Sequence, residues 1–247
     1  MSPWPLPFWI AHRGAGKLAP ENTLAAFRLG ASHGYRAFEC DVKLSGDGVA
    51  MLLHDADLQR TTNGHGRAVD HDWKALSRLD AGGWHGRRFA GEPLASLESI
   101  AQFCIANRFA LNIEIKPTPG HESATGTQVA METQILWHGS GMTPLLSSFA
   151  PLALEAAQAA VPELPRALLL DKPQADWLEI VQRLQCVAVV ANHAIWQQQW
   201  IDTLHDAGKR ALAYTVNDPA TVQWLSGLGI DGLITDAVDR FSPAAEH

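Results

Sequence analysis

Short apolar runs alternate with segments of helical apolar spacing along most of the chain, and this limits the folds open to it. The runs are FWIAH (8–12), AFECDV (37–42), LNIEIK (111–116), LLSSF (145–149), RALLL (166–170), VAVVAN (187–192), ALAYTV (211–216) and DGLITD (231–236). Helical spacing fills residues 22–33, 97–107, 125–138, 150–160, 174–184, 195–207 and 218–227. Repeated strand–helix–strand units with short loops require a parallel sheet. Eight such strands in 247 residues predict an α/β fold, a closed (β/α)8 TIM barrel forming a single domain over residues 1–247. An open doubly wound sheet would want a glycine-rich phosphate turn after its first strand. HRGAGKLAP (12–20) has two glycines but not that fingerprint.

One connection breaks the pattern. SGDG (45–48) separates AFECDVKL from VAMLLHD and reads as a tight hairpin turn. A hairpin cannot join neighbouring parallel strands. Residues 49–54 are therefore expected to form a return arm that carries His54 back to the end of the second strand. The glycine-rich stretch after it has no clear periodicity, so an inserted cap is expected at approximately residues 45–96.

Composition narrows the partners. The net charge of −7 argues against a nucleic-acid partner, which needs a basic face, but leaves room for a small anionic substrate. The three cysteines, Cys40, Cys104 and Cys186, are widely spaced and odd in number, which suits buried reduced thiols. No apolar run reaches the ~18–20 residues of a membrane span. The first ten residues hold three prolines and no basic residue ahead of a short apolar run, a poor secretion signal. The expectation is a cytoplasmic protein without stable membrane association.

Strand parity locates the chemistry. In FECDV, Phe38, Cys40 and Val42 share one face, and Glu39 and Asp41 share the other. In LNIEIK, Leu111, Ile113 and Ile115 face the helices, while Asn112, Glu114 and Lys116 point inward. Barrel interiors are normally filled by branched apolar side chains. Two adjacent strands instead aim three carboxylates at one end of the interior. Confined carboxylates repel one another, so they hold protons, pair with Lys116 and Arg13 in a structural cluster, or surround a cation. An all-oxygen donor set favours Mg²⁺, Ca²⁺ or Mn²⁺. His12 and Arg13, the carboxylates, Lys116 and Phe149 all fall at C-terminal strand ends, where barrel enzymes place their sites. Phosphodiester chemistry fits this set: Arg13 and Lys116 for phosphate oxygens, His12 and His54 for proton transfer. Gly14 would let the chain turn without crowding the site. Asn22 would cap the helix that follows.

These residues also carry a resemblance. AHRG, PENT, FECDVKLSGDG, LLHD, NIEIKPTPG, LSSF, AYTVN and GLITD, in this order from residue 9 to about 236, resemble the motifs of the glycerophosphodiester phosphodiesterases, most of all the cytosolic bacterial type. The resemblance implies a capped (β/α)8 barrel, a divalent cation, and hydrolysis of glycerophosphocholine, glycerophosphoethanolamine and similar diesters to sn-glycerol 3-phosphate and an alcohol. It implies His12 and His54 as the acid/base pair and Glu39, Asp41 and Glu114 as metal ligands. Arg13 and Lys116 become phosphate contacts, with Asn22, Trp84, Phe149 and Tyr214 as further substrate-binding candidates. Tyr214 stands where many relatives have tryptophan. Two alternatives stand beside this reading: a lipid-directed relative cleaving lysophospholipids or a sphingolipid head group, and a non-catalytic phosphate-ester binding protein.

Overall fold

The computed structural model describes residue 4 and residues 6–243. Part of the N-terminal segment read against a secretion signal, residues 1–3 and 5, lies outside the described residues. The strands among the described residues are β1 (Trp9–Ala11), β2 (Ala37–Leu44), β3 (Ala50–Leu52), β4 (Ala110–Ile115), β5 (Leu145–Ser148), β6 (Arg166–Leu170), β7 (Ala188–Asn192), β8 (Arg210–Tyr214) and β9 (Gly232–Thr235). All but β3 pair in parallel, in the order β1-β9-β8-β7-β6-β5-β4-β2, and β1 pairs with β2 to close the ring. This is the (β/α)8 barrel that the alternation demands.

The helices are α1 (Leu24–Ser32), α2 (Trp73–Leu76), α3 (Leu97–Asn107), α4 (Glu122–Trp137), α5 (Pro151–Ala160), α6 (Trp177–Arg183), α7 (Gln198–Asp206) and α8 (Pro219–Leu228). All but α2, which belongs to the insertion, connect barrel strands. Strand parity divides the core in two. Phe38, Cys40, Val42, Leu111, Ile113 and Ile115 lie buried between strands and helices. Ile10, Leu145, Leu169, Val190, Leu212 and Ile234 fill the barrel interior. Phe27 of α1 stacks on Phe38 of β2 with centroids 5.0 Å apart. Truncating a buried ring of this kind costs about 3–5 kcal/mol.

Two local expectations need correction. Asn22 does not cap α1: Thr23 does, its Oγ1 accepting a hydrogen bond from Ala26 N at 3.2 Å. Asn22 sits one residue earlier, with φ +60°, and its side chain turns to Asp41. Gly14 is required by α1 rather than by the cavity. At φ +99° a Cβ there would meet Ala26 Cβ at 2.8 Å, and a Cβ on Gly30 would sit 2.1 Å from Gly14 O. The helix lies directly on the backbone of the turn that carries His12 and Arg13.

β3 is the return arm. It runs antiparallel to β2, with Val42 opposite Leu52 and Leu44 opposite Ala50. The insertion after it packs around its own small core of Met51, Leu53, Leu58, Ala68, Leu76, Ala81 and Leu94. It is tied to the first barrel unit by Glu92 Oε1, which accepts from Ala25 N at 2.9 Å, and by Arg88, which donates to Leu18 O at 2.8 Å. The chain rejoins the barrel at Ser96, the N-cap of α3.

Candidate active site

The inward rows of β2 and β4 meet at the C-terminal end of the barrel. Register places Asp41 beside Glu114 and Glu39 beside Asn112. Glu39, Asp41 and Glu114 are all buried, and each offers a carboxylate oxygen within 4.8 Å of the others. Burial drives the Glu39 carboxyl up to about 7 and the Glu114 carboxyl up to about 8, and the charge of Asp41 adds to both. Burial also pushes Asp41 upward, but Arg13, Lys116, His54 and a hydrogen bond from Asn22 outweigh it and hold the group below the usual carboxylate range.

Three cations answer the three carboxylates. Arg13 Nε lies 3.2 Å from Asp41 Oδ2, an ion pair without hydrogen-bond geometry, while its terminal nitrogen donates to Glu21 Oε1 at 2.8 Å. Lys116 Nζ stands 2.8 Å from Glu114 Oε1 and 3.4 Å from Asp41 Oδ1. Lys43, the next inward residue of β2, is 1% exposed, and burial lowers its ammonium to about 8. Asn22 holds Asp41 in place: Nδ2 donates to Asp41 Oδ2 at 2.8 Å, and Oδ1 accepts from Asp41 N at 3.1 Å.

The two histidines enter from different elements, and each is held by a carboxylate. His12 follows β1, and its Nδ1 bonds to Asp236 Oδ1, just beyond β9, at 2.6 Å, leaving Nε2 3.8 Å from Glu39 Oε2. His54 follows the return arm and bonds through Nδ1 to Asp55 Oδ1 at 2.7 Å. Asp55 accepts from Arg60, and Arg60 also forks onto Glu21 at 2.7 and 2.8 Å. One chain of charges thus links His54 to Arg13. In both rings the Nδ1 hydrogen bond leaves Nε2 as the nitrogen for chemistry. Burial works against protonating both. For His12 the bond to Asp236 and the charge of Glu39 prevail and raise its pKa, whereas for His54 burial, with the charges of Arg13 and Lys116, prevails over Asp41 and lowers it.

Of these groups, His12, Arg13, Glu39, His54, Glu114 and Lys116 line a cavity of about 190 Å³, together with Asn112, Phe149, Leu169, Asp171, Tyr214, Thr215 and Ile234. Phe149 and Tyr214 meet edge to face with centroids 5.9 Å apart, and Lys116 Nζ lies 5.4 Å from the centre of the Phe149 ring. Trp84 does not join them. It is 44% exposed on the insertion, its Nε1 donating to Ala81 O, and it lies outside the cavity lining because the insertion packs on the β1–α1 loop.

Sequence reading passed over Asp236, Asp55, Arg60, Glu21 and Lys43. Parity was a usable signal for Lys43, which continues the Glu39, Asp41 row. The dipeptide His54-Asp55 was a weaker one. Nothing local marked Asp236 as the partner of a residue at the other end of the chain. Asn112 was read as inward but given no role. It lines the cavity, and neither of its buried polar atoms has a hydrogen-bond partner. Three clustered carboxylates, two of them hard to ionise unaided, beside an unsatisfied amide oxygen, form a donor set that suits a hard divalent cation.

Comparison with known proteins agrees with this architecture. The family model described as the glycerophosphoryl diester phosphodiesterase family matches residues 12–240. A Bacillus subtilis relative, provisionally named a glycerophosphodiester phosphodiesterase, is 31% identical over 243 residues, covering 96% of this chain and 98% of its own. The glycerophosphodiester phosphodiesterase of Caldanaerobacter subterraneus is 29% identical, covering 92% of this chain and 93% of its own. An Oleispira antarctica phosphodiesterase, solved in complex with the product sn-glycerol-3-phosphate, superposes with a TM-score of 0.86 at 32% identity, covering 94% of this chain and 93% of that one. The order of motifs, the closed barrel and the match across nearly its whole length make this chain an enzyme of the glycerophosphoryl diester phosphodiesterase family.

Proposed function

We propose that the enzyme hydrolyses glycerophosphodiesters such as glycerophosphocholine and glycerophosphoethanolamine to sn-glycerol 3-phosphate and the free alcohol, using His12 and His54 for proton transfer. The observation that carries this reading is the convergence of three buried carboxylates within 4.8 Å of one another, two of which, Glu39 and Glu114, line one cavity with Arg13, Lys116 and both imidazoles. The product held by the Oleispira relative supports the choice of substrate.

Glu39, Asp41 and Glu114 would hold Mg²⁺, Ca²⁺ or Mn²⁺, which when bound neutralises phosphoryl charge and polarises phosphorus. Arg13 and Lys116 orient the non-bridging oxygens. His54 Nε2 takes the proton of the glycerol hydroxyl next to the phosphate. That oxygen bonds to phosphorus as the bond to the alcohol breaks. His12, the more readily protonated ring, gives its proton to the departing oxygen. In the second half the roles reverse: His12 takes a proton from water, water opens the cyclic phosphate, and His54 returns the proton to the glycerol oxygen. Phe149, Tyr214 and Leu169 keep bulk water from the reacting face. The buried, unpaired cysteines fit a reducing compartment, and we place the enzyme in the cytoplasm. Among the described residues no helix is long and apolar enough to cross a membrane.

The test is turnover of glycerophosphocholine and glycerophosphoethanolamine with and without EDTA. Release of glycerol 3-phosphate from both, lost on chelation and restored by one of the three cations, is the expected result. Unchanged turnover in EDTA removes the cation, and no turnover of either diester removes the substrate assignment.

A further inference from the structure

Lys43 is buried at a position where nothing in the reaction asks for it. It is the fourth inward residue of β2, after Ala37, Glu39 and Asp41, and is 1% exposed. A buried ammonium gives up strong hydration. Its Nζ donates to two backbone carbonyls, His54 O at 3.1 Å and Lys116 O at 3.4 Å. The first belongs to the residue that ends the return arm, the second to the residue just beyond β4. The backbone of the arm is pinned to β2 only up to Leu53, whose N donates to Asp41 O at 3.1 Å, and that of the β4 end by Lys116 N to Val42 O at 2.8 Å. Lys43 supplies the next fastening on both, and it joins them to each other. From the C-terminal end of β2, a long, flexible stem ending in several donors reaches both carbonyls.

We propose that Lys43 is a positioning residue for the reaction: it clamps the backbone of the return arm to the end of β4 and thereby sets where the His54 imidazole stands over the carboxylate cluster. This rests on the reading of His54 as a proton-transfer group. Asp55 fixes the rotation of the ring, and Lys43 fixes the backbone that carries it.

A double-mutant cycle on glycerophosphocholine turnover tests the proposal, using Lys43→Met, His54→Asn and the pair. Methionine keeps the volume and removes the donors. Lys43→Met is expected to lower kcat on the order of 100-fold, the scale of a misplacement of about 1 Å, with KM within about threefold. In the His54→Asn background the same substitution should cost less than about threefold, because the ring it positions is gone. Titration with Mn²⁺ should give affinities within about threefold of the parent, since the clamp acts on His54 and not on the ion. If the two losses multiply, Lys43 acts independently of His54, and if Mn²⁺ affinity collapses it acts through the ion; either result overturns the proposal. If His54→Asn turns over at the parental rate, the role of His54 falls and the proposal falls with it, a pattern distinct from the first. Should Lys43→Met fail to fold, Lys43→Gln, which keeps a shorter donor, carries the same cycle: a smaller loss in kcat that vanishes in the His54→Asn background supports the clamp, and one that persists rejects it.

Discussion

The wall built by β2 and β4 and the wall built from the ends of β5, β6, β8 and β9 enclose one cavity, yet their side chains follow different logics. On the first, Glu39, Asp41, Lys43, Glu114 and Lys116 are charged neighbours, nearly all buried, and each is defined by its partners. On the second, Phe149, Leu169, Tyr214 and Ile234 are defined by shape, with Asp171 the one carboxylate among them. Desolvation is costly on the first wall and favourable on the second. The apolar wall stabilises the fold, and the charged wall stores an electrostatic conflict that a cation and a phosphate can relieve. Even within the charged wall the members differ. Asp41 is ionised and tightly paired, whereas Glu39 and Glu114 resist ionisation.

That difference separates two substitutions whose activities should fall alike. Glu114→Gln and Asp41→Asn each remove one of three candidate ligands, and each is expected to lower kcat/KM by roughly 1,000-fold or more, the loss of most cation-dependent charge stabilisation. Their stabilities should diverge. A carboxyl with a pKa of about 8 already carries a proton at neutral pH, so glutamine resembles the metal-free state of Glu114, and a change within about 1 kcal/mol is expected. Asp41→Asn leaves Arg13 and Lys116 facing a neutral group, at a cost of about 3 kcal/mol. Denaturant unfolding of the metal-free proteins measures both. Equal stabilities would mean that the charged wall behaves as one undifferentiated cluster.

The same contrast explains what could be read from the sequence. Apolar periodicity reports burial, so the eight barrel strands and the seven connecting helices were legible, down to the outward turn of Cys40 and the inward turn of Glu39. The acidic residues were legible because they break that pattern, as the Ser-Gly-Asp-Gly turn does for the return arm. Support was not legible. Asn22 looked like a cap because asparagine before an apolar run commonly is one, and only the closed barrel brings Asp41 within its reach. Asp236 joins His12 across 224 residues of chain, a contact created by barrel closure that no local spacing encodes. Trp84 drew attention by its type alone, while its position depends on where the insertion packs.

A smaller effect follows from protons. Glu39 at about 7 and Glu114 at about 8 lie above their unfolded values, so between about pH 4.5 and 8 the native state binds more protons than the unfolded state. Stability therefore falls as pH rises through that window. His12, also raised, contributes in the same direction near its own pKa. Asp41, lowered, contributes stability at neutral pH that is lost only in acid. Metal-free protein is expected to melt ~5 °C lower at pH 8 than at about pH 5, and a saturating divalent cation, taking the place of the protons, should remove most of that difference. Scanning calorimetry at the two pH values, with EDTA or Mg²⁺, reads it. A pH-independent Tm in EDTA would show that the carboxylates are ionised and already balanced by Arg13, Lys43 and Lys116.

The smallest expected effect lies on the wall of shape, where it borders the wall of charge. Phe149 is 40% exposed, and its ring touches Tyr214 by edge and Lys116 by face. It makes no hydrogen bond to the reacting groups, so it can influence binding but not proton transfer. Phe149→Leu keeps an apolar surface while removing the ring face, whose contact with a cation is worth about 0.5–1 kcal/mol where the ring is open to solvent. The expectation is a rise in KM of roughly threefold with kcat within about twofold, the signature of lost uniform binding. Steady-state kinetics on glycerophosphocholine decides it. A fall in kcat matching that of the histidine variants would mean that this wall fixes the reacting geometry as well, and the division between a wall of charge and a wall of shape would no longer hold.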